Sequence, residues 1–595
     1  MKAEPIASHS GPTEPIIPAP VWAILALSLA FNFWGIWFGL PDSWHADELV
    51  SRSGAMARDR TLNPHSFLYG SLHYYFILAV SLPAYAISNF FSTDYMSHKT
   101  AVYLAARALT ALMGVGCVLL TYLLGRLLFN AVSGIIAALC LTLSLGFVNM
   151  AHFATVDVPM LFWMMLSFLM AGSMLCAGGR RCYVAAGVFA GLAAATKYVG
   201  GVALLTLVVA YLLQPERRDH LGLLWGVLAA AAAFVAANPP LLLAPCEFFE
   251  GFLIDNAFNT SFGDDRTDVA LVRPLVQLYH VLGAALSILA GAALLYGTWL
   301  LVRREHWRSI VLIGSMFVPF LLLISNVNYA SMRHVLPLAP PLLLLVGKMM
   351  ADLMAARHRF AVRAGLLVGM VTMAYSGLGV LSGELQFTSD GRNLAAAWVM
   401  KHAAPGSRIE VTPYGPRLPN DRFLIEKRPF LRNLTADIAD LRNASLYRVL
   451  HPIYLHYKSA AESIGLCQPR ARHYLGWYEE AESRAATDLV NFDPSIDGLE
   501  ARAPDLLIVS SFYYQRFLDD PRGPDGHFFK QLFEGKGSYR PIAQFHYELW
   551  PWLDPRLEFI NPTVMIFQKE PPEPSTAPFT AGSAHRDYAG QRSSR

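Results

Sequence analysis

Between residues 21 and 383, long apolar runs alternate with short polar loops; from 384 onward apolar and polar positions mix as in a globular chain. A run of about 20 apolar residues crosses a bilayer as a helix. The run 21–40 meets that length. It lacks a basic leading segment and a small-residue cleavage site, so it reads as an uncleaved span rather than a signal peptide. Further spans are expected at 101–124, 131–150, 158–177, 221–241, 275–302, 309–325, 333–350 and 364–383. Residues 183–213 are interrupted by Thr196-Lys197-Tyr198-Val199-Gly200-Gly201, which predicts two short helices meeting at a turn. The count is about eleven spans if 71–91 is left out. Residues 1–20 and 570–595 read as disordered tails, 21–383 as a membrane domain and 384–569 as a soluble α/β domain. In the latter, Asp390 precedes an amphipathic run, Arg392 to His402. Strands are expected at 408–412, 505–510 and 564–568, and a helix at 512–518.

The segment 71–91 decides the topology. Arg residues cluster in five short loops: Arg126; Arg180 and Arg181; Arg217 and Arg218; Arg303, Arg304 and Arg308; Arg357, Arg359 and Arg363. Basic short loops stay cytoplasmic. If 71–91 lies along the outer surface, with the N-terminus inside, all five loops are cytoplasmic; if it spans, all five are outside. The first arrangement is expected. It places 41–100, 151–157, 197–201, 242–273, 326–332 and the C-terminal domain on the outer face, where the acidic loop 242–273 also fits.

Composition excludes a purely soluble protein: 54% of the 595 residues are hydrophobic and 15% charged, against roughly 25% charged in soluble domains. A net charge of +3 without a basic stripe argues against nucleic acid as a partner. Cys467 is alone in the polar part, so that part holds no internal disulfide. It also shows no nucleotide loop, catalytic triad or paired Cys/His motif, so it is expected to shape acceptor access rather than perform chemistry.

Candidate chemistry lies in the outer loops. Asp47 and Glu48 follow the first span and suit a base or a metal site, the plain alternative being a solvated loop start. Asp157 opens a span with Pro159 two residues later, which also suits an N-cap. His152 is more simply a hydrogen-bonded histidine than a ligand. Lys197 interrupts an apolar run, and an ionisable residue there is a functional-site hypothesis by default. Arg333 begins a late span on the face opposite to the other arginines. Arg107, inside the second span, is a partner for one of the carboxylates. His65, Tyr69, Tyr198 and Tyr329 are candidate substrate contacts, although tyrosines at a membrane edge also form interfacial belts. Acids and cations at one membrane depth suit a reaction between a lipid-borne phosphate and a polar acceptor.

At these residues the chain resembles the GT-C type integral-membrane glycosyltransferases, in the branch of protein O-mannosyltransferases and the bacterial aminoarabinose transferase of lipid A. The resemblance rests on His45-Ala46-Asp47-Glu48, His152 to Pro159, Gly191 to Tyr198, and Arg333-His334-Val335-Leu336-Pro337. It covers about 20–385. It implies a polyprenyl-phosphate sugar donor, a glycan, lipid or protein acceptor, inversion at the anomeric carbon, and a bacterial plasma membrane with the C-terminal domain outside. By position, Asp47 would be the base, Lys197 and Arg333 would hold the donor phosphate, and Asp157 would support the site. Aminoarabinose-type transferases carry Glu-Lys-Pro-Pro ahead of the 71–91 helix, where this chain has Leu68-Tyr69-Gly70-Ser71. A divalent metal is therefore in doubt, with Glu48, His65 or His152 as its only candidate ligands. A transporter or flippase of a lipid-linked substrate is the alternative. One broken helix pair and no internal repeat count against it.

Overall fold

The structure is a computed structural model and describes residues 17–42, 44–45, 47–176, 178–214, 218–261, 270–327, 331–429, 445–465, 467, 492–518, 524–550, 553 and 557–570. The expected tails lie almost wholly outside these residues, and Tyr329 lies outside them too.

The polytopic helical architecture expected from the apolar runs is what the chain adopts. Seven helices among the described residues are long and apolar enough to cross a membrane: Leu72–Phe91, Tyr95–Leu128, Asp157–Cys176, Ala284–Arg303, Trp307–Ser325, Met332–Met354 and one that begins at Arg359. The pair Ala131–Thr142 and Leu145–Ala151, bent by 66°, makes an eighth. Three further apolar helices, Ala19–Phe33, Tyr198–Leu212 and His220–Ala236, are shorter than that length. The break near Lys197 falls where the sequence puts it: helix Arg180–Thr196 ends, a 3₁₀ turn covers Tyr198–Val202, and Ala203–Leu212 resumes. Side-chain caps start several helices. Asp94 accepts from Ser97 N at 2.9 Å, Asn130 from Ser133 N at 2.8 Å and Asp219 from Gly222 N at 2.8 Å.

The helical domain has two distinguishable ends. At one, Ser309 Oγ donates to Leu128 O, Phe129 meets His306, Lys348 pairs with Asp352, and Arg180 pairs with Asp219. The other end gathers the loops that carry Asp47, His152, Lys197 and Arg333. Helix Leu72–Phe91, expected along the outer surface, is long and apolar enough to be a span, and its first turns pack against the loop end. Tyr74 and Ile77 share a core with Leu49, Val50, Met56, Tyr103, Ala106, Ala154 and Val156, all at the loop end. Its last turn meets the start of the next helix, where Ser88 Oγ bonds His98 Nδ1 at 2.9 Å. That next helix has 34 residues, about 51 Å at 1.5 Å per residue, longer than a bilayer requires. Its residues before Arg107 pack alongside Leu72–Phe91.

From Gly391 the chain forms a five-stranded sheet in the order β2-β1-β3-β5-β4, with β1 Arg408–Val411, β2 Leu424–Lys427, β3 Leu506–Ser510, β4 Tyr539–Phe545 and β5 Val564–Lys569. The first three strands are parallel, and β5 runs antiparallel between β3 and β4. All five residues of β3 are buried, as a central strand covered on both faces requires. Ile508 and Ile566 face Ala395 and Val399 of helix Gly391–His402. Leu507, Val509 and Phe567 face Tyr513, Phe528 and Phe529 on the other side.

Candidate active site

Among the carboxylate–cation pairs at the loop end, two join four of the residues singled out in the sequence. Arg333 Nη1 donates to Asp47 Oδ2, and Lys197 Nζ donates to Asp157 Oδ1 at 2.7 Å. Each pair joins residues far apart in sequence, so the pairs close only when the helices are packed. Asp157 is the first residue of its helix, and its side chain takes the Lys197 ammonium. Lys197 sits at the helix break, with its Nζ 5.6 Å from the centre of the Tyr69 ring. Tyr198 OH donates to Phe67 O at 3.0 Å and Tyr69 O at 3.2 Å, which ties the break to the loop carrying Tyr69. Gly70 makes that approach possible, because a Cβ there would overlap the Ala195 carbonyl.

Asp47 is about one-third exposed at its side chain. Burial pushes its carboxyl pKa up, but Arg333 and His45 outweigh that and hold it below the usual value. His45 accepts from Asp47 N at 3.1 Å through Nδ1. Burial drives its pKa down to about 4, so it is neutral at pH 7.

Glu48 departs from the expectation of a base or metal ligand. Arg107 Nε and Nη2 donate to its two oxygens at 2.7 and 2.9 Å, and Ala154 N donates to Oε1 at 3.1 Å. Arg107 Nη1 also donates to Ile36 O and Phe38 O. With both oxygens engaged and the pair fully buried, Glu48 ties the first two outer loops to the second span. His152 is held by Val148 O and Trp34 O, each at 2.7 Å. His65 Nδ1 lies 2.6 Å from Glu247 Oε1, and Asn63 Nδ2 donates to Glu247 Oε2 at 2.7 Å. Glu48, His65 and His152 thus belong to three separate clusters. No group of three or more His, Cys, Asp or Glu suited to a metal occurs among the described residues. The candidate metal ligands do not fit an ion.

Sequence reading missed the part that comes from the C-terminal domain. Glu558 Oε1 accepts from Ser331 Oγ and, at 2.6 Å, from Met332 N. The Phe559 ring lies 4.0 Å from that of His45, and the Arg333 guanidinium 6.0 Å from the Phe559 centre. Arg392 stacks on Trp44 at 3.9 Å. No local signal marks these residues, since their roles exist only through contacts with distant loops.

The arrangement can do two things. A carboxylate can take a proton, and two cations can hold an anion beside it. Residues 24–249 match the family model for dolichyl-phosphate-mannose-protein mannosyltransferases. No curated protein matches the chain. Among solved structures, ArnT from Cupriavidus metallidurans bound to undecaprenyl phosphate aligns at TM-score 0.46 and 16% identity, over 92% of this chain and 98% of that one. The Archaeoglobus fulgidus oligosaccharyltransferase aligns at TM-score 0.46 and 12% identity, over 66% of this chain; the chain spans 62% of its length. The Pmt1–Pmt2 protein O-mannosyltransferase complex of S. cerevisiae aligns at TM-score 0.28 and 15% identity, over 41% of this chain and 34% of that one. Over residues 24–249 the chain is thus similar to a family of membrane mannosyltransferases, in the stretch that carries Asp47, Asp157 and Lys197.

Proposed function

We propose that the protein moves a sugar from a polyprenyl-phosphate donor to an acceptor hydroxyl, with inversion, at the exterior face of a bacterial plasma membrane. The observation that carries this is the pairing of Asp47 with Arg333 beside Asp157 with Lys197 at the loop end of a polytopic helical domain. The donor is a phosphodiester with one negative charge; the departing polyprenyl phosphate carries more. Arg333 and Lys197 meet that growing charge where it develops. The acceptor oxygen attacks the anomeric carbon as its proton passes to Asp47, and the bond from that carbon to the phosphate oxygen breaks. A single displacement of this kind inverts the centre. Donor phosphate draws Arg333 away from Asp47, which frees the carboxylate as a base only when donor is present. Asp157 holds the Lys197 ammonium in place, and Tyr69 and Tyr198 shape the donor cleft. The acceptor is a glycan, lipid or protein hydroxyl reached from the side of the C-terminal domain.

The exterior placement draws on cysteine chemistry. Cys246 and Cys467 form a disulfide at the loop end, whereas Cys176 and Cys182, near Arg180 at the opposite end, are free. Disulfides persist in oxidising compartments and are rare in the cytosol. The function is tested by mass spectrometry of lipid-linked sugars from cells with and without the gene. Accumulation of one polyprenyl-phosphate sugar on deletion is expected, and an unchanged lipid-linked pool would refute the donor class.

A further inference from the structure

The loop between β4 and β5 ends in a turn held from several sides. Phe559 and Asn561 both adopt positive φ, 61° and 54°, a conformation that costs non-glycine residues energy and persists where surrounding structure enforces it. The enforcement is visible. Asn561 N donates to Asp390 Oδ2 at 2.5 Å, Asn561 Oδ1 accepts from Gly391 N and Tyr547 N, and Arg392 Nη2 donates to Phe559 O at 3.0 Å. Arg392 and Asp390 are themselves fully buried and paired. The turn presents Glu558 to the membrane domain, where one carboxylate oxygen takes the Ser331 hydroxyl and the Met332 amide, the two residues before Arg333. Glu558 N also donates to Asn149 Oδ1 at 3.1 Å, in the short helix Leu145–Ala151 that precedes Asp157. The second oxygen, Oε2, is buried without a partner among the described residues.

We propose that Glu558 is a positioning residue for the anion site, fixing the backbone from which Arg333 reaches the donor phosphate. The C-terminal domain then supplies part of the phosphate site rather than only an acceptor platform. Hydrogen bonding, not charge, is the working property. Burial raises the Glu558 carboxyl pKa, against the pull of Arg333 and of the Ser331 and Met332 hydrogen bonds. A glutamine in its place still accepts from Ser331 and Met332, whereas an alanine does not. The inference rests on the reading of Arg333 as a phosphate ligand.

The test is the affinity of the purified, detergent-solubilised full chain for undecaprenyl phosphate, followed by tryptophan fluorescence, with thermal melting as the check on folding. Glu558→Ala is expected to weaken binding by about tenfold, because a misplaced Arg333 forfeits a charge-assisted contact. Glu558→Gln should stay near the wild-type affinity. In the double variant with Arg333→Ala, the Glu558→Ala change should add no further loss, since residues acting through one another are not additive. Wild-type affinity in Glu558→Ala, equal loss in Glu558→Gln, or additive losses in the double variant would each overturn the proposal. Normal binding by Arg333→Ala alone would instead remove the phosphate site itself.

Discussion

Asp47 and Glu48 are neighbours in sequence with opposite surroundings, and substitution should separate them. Asp47→Asn keeps shape and removes basicity; general-base catalysis is worth roughly 10²–10⁴-fold, so turnover should fall by that order while the melting temperature holds. Glu48→Gln should instead unsettle the fold, because it leaves Arg107 buried without its charge partner, a loss of roughly 3–5 kcal/mol. Near-normal turnover in Asp47→Asn would move the base elsewhere, with Asp157 next. The pH behaviour follows. In the free protein Arg333 holds the Asp47 carboxyl below its usual value, against the effect of burial. Once donor phosphate shares Arg333, burial gains weight and the pKa rises. The acid limb of kcat, which reports the loaded enzyme, should therefore lie at higher pH than that of kcat/KM, which reports the free enzyme. Coincident limbs would mean that Arg333 stays with Asp47 throughout. For Glu48, burial raises the carboxyl pKa but Arg107 lowers it further, to a folded value below the usual one. A depressed folded pKa contributes stability above the unfolded value that is lost as pH falls through the folded one. That contribution should be full above about pH 5 and fade in more acid solution. Asp47, Asp157, Lys197 and Arg333 are legible in the sequence because charges in or beside apolar runs stand out. The division of labour between Asp47 and Glu48 is not, since it depends on which acid Arg107 reaches across the bundle.

Helix packing sets where Lys197 stands. Gly187 and Gly191, four residues apart on helix Arg180–Thr196, face Gly226 and Ala230 on helix His220–Ala236, and a Cβ at Gly187 would overlap the Gly226 carbonyl. Small residues at this spacing let membrane helices approach backbone to backbone. Gly187→Leu should force the two helices apart, lower the melting temperature in detergent and displace the helix end that presents Lys197. Gly291→Leu, where an added Cβ meets nothing within 4 Å, is the control and should melt like wild type. Equal melting of both variants would show that the close approach is unimportant. The break at 196–201 is readable because a charge and two glycines interrupt an apolar run. The 66° bend between Thr142 and Leu145 is not, because Leu143 and Ser144 at the break include no proline or charge, and Gly146 beside them leaves the apolar run unbroken. Strand β3 is readable as a buried apolar run. Strand β2 is a short edge strand with two charged residues among its four, and β4 carries Pro541 beside an irregular register, so neither shows the alternation that marks a strand.

At the scale of the whole chain, the disulfide Cys246–Cys467 joins helix Pro245–Ser261, in the loop 242–273 of the helical domain, to the C-terminal part across 221 residues. Sequence arithmetic correctly leaves Cys467 without a partner inside its own domain, but it cannot pair it with Cys246, because only the folded chain brings the loop and the domain together. The bond sits among buried residues beside Tyr457 and Ala461 of helix Ser445–Ser463, and Tyr454 OH donates to Cys246 O at 3.5 Å. It therefore clamps that helix to helix Pro245–Ser261, whose Phe248 and Phe252 pack against Tyr198. Two consequences can be measured together in intact cells. With no reductant, an impermeant maleimide should label neither Cys246 nor Cys467; in a Cys246→Ser background, where Cys467 has no partner, Cys467 should become reactive from outside without reduction. Cys176, exposed at the opposite end, should react only with a permeant reagent. Labelling of Cys176 by the impermeant reagent would invert the topology and place the Asp47–Arg333 site in the cytosol, where a structural disulfide would not persist.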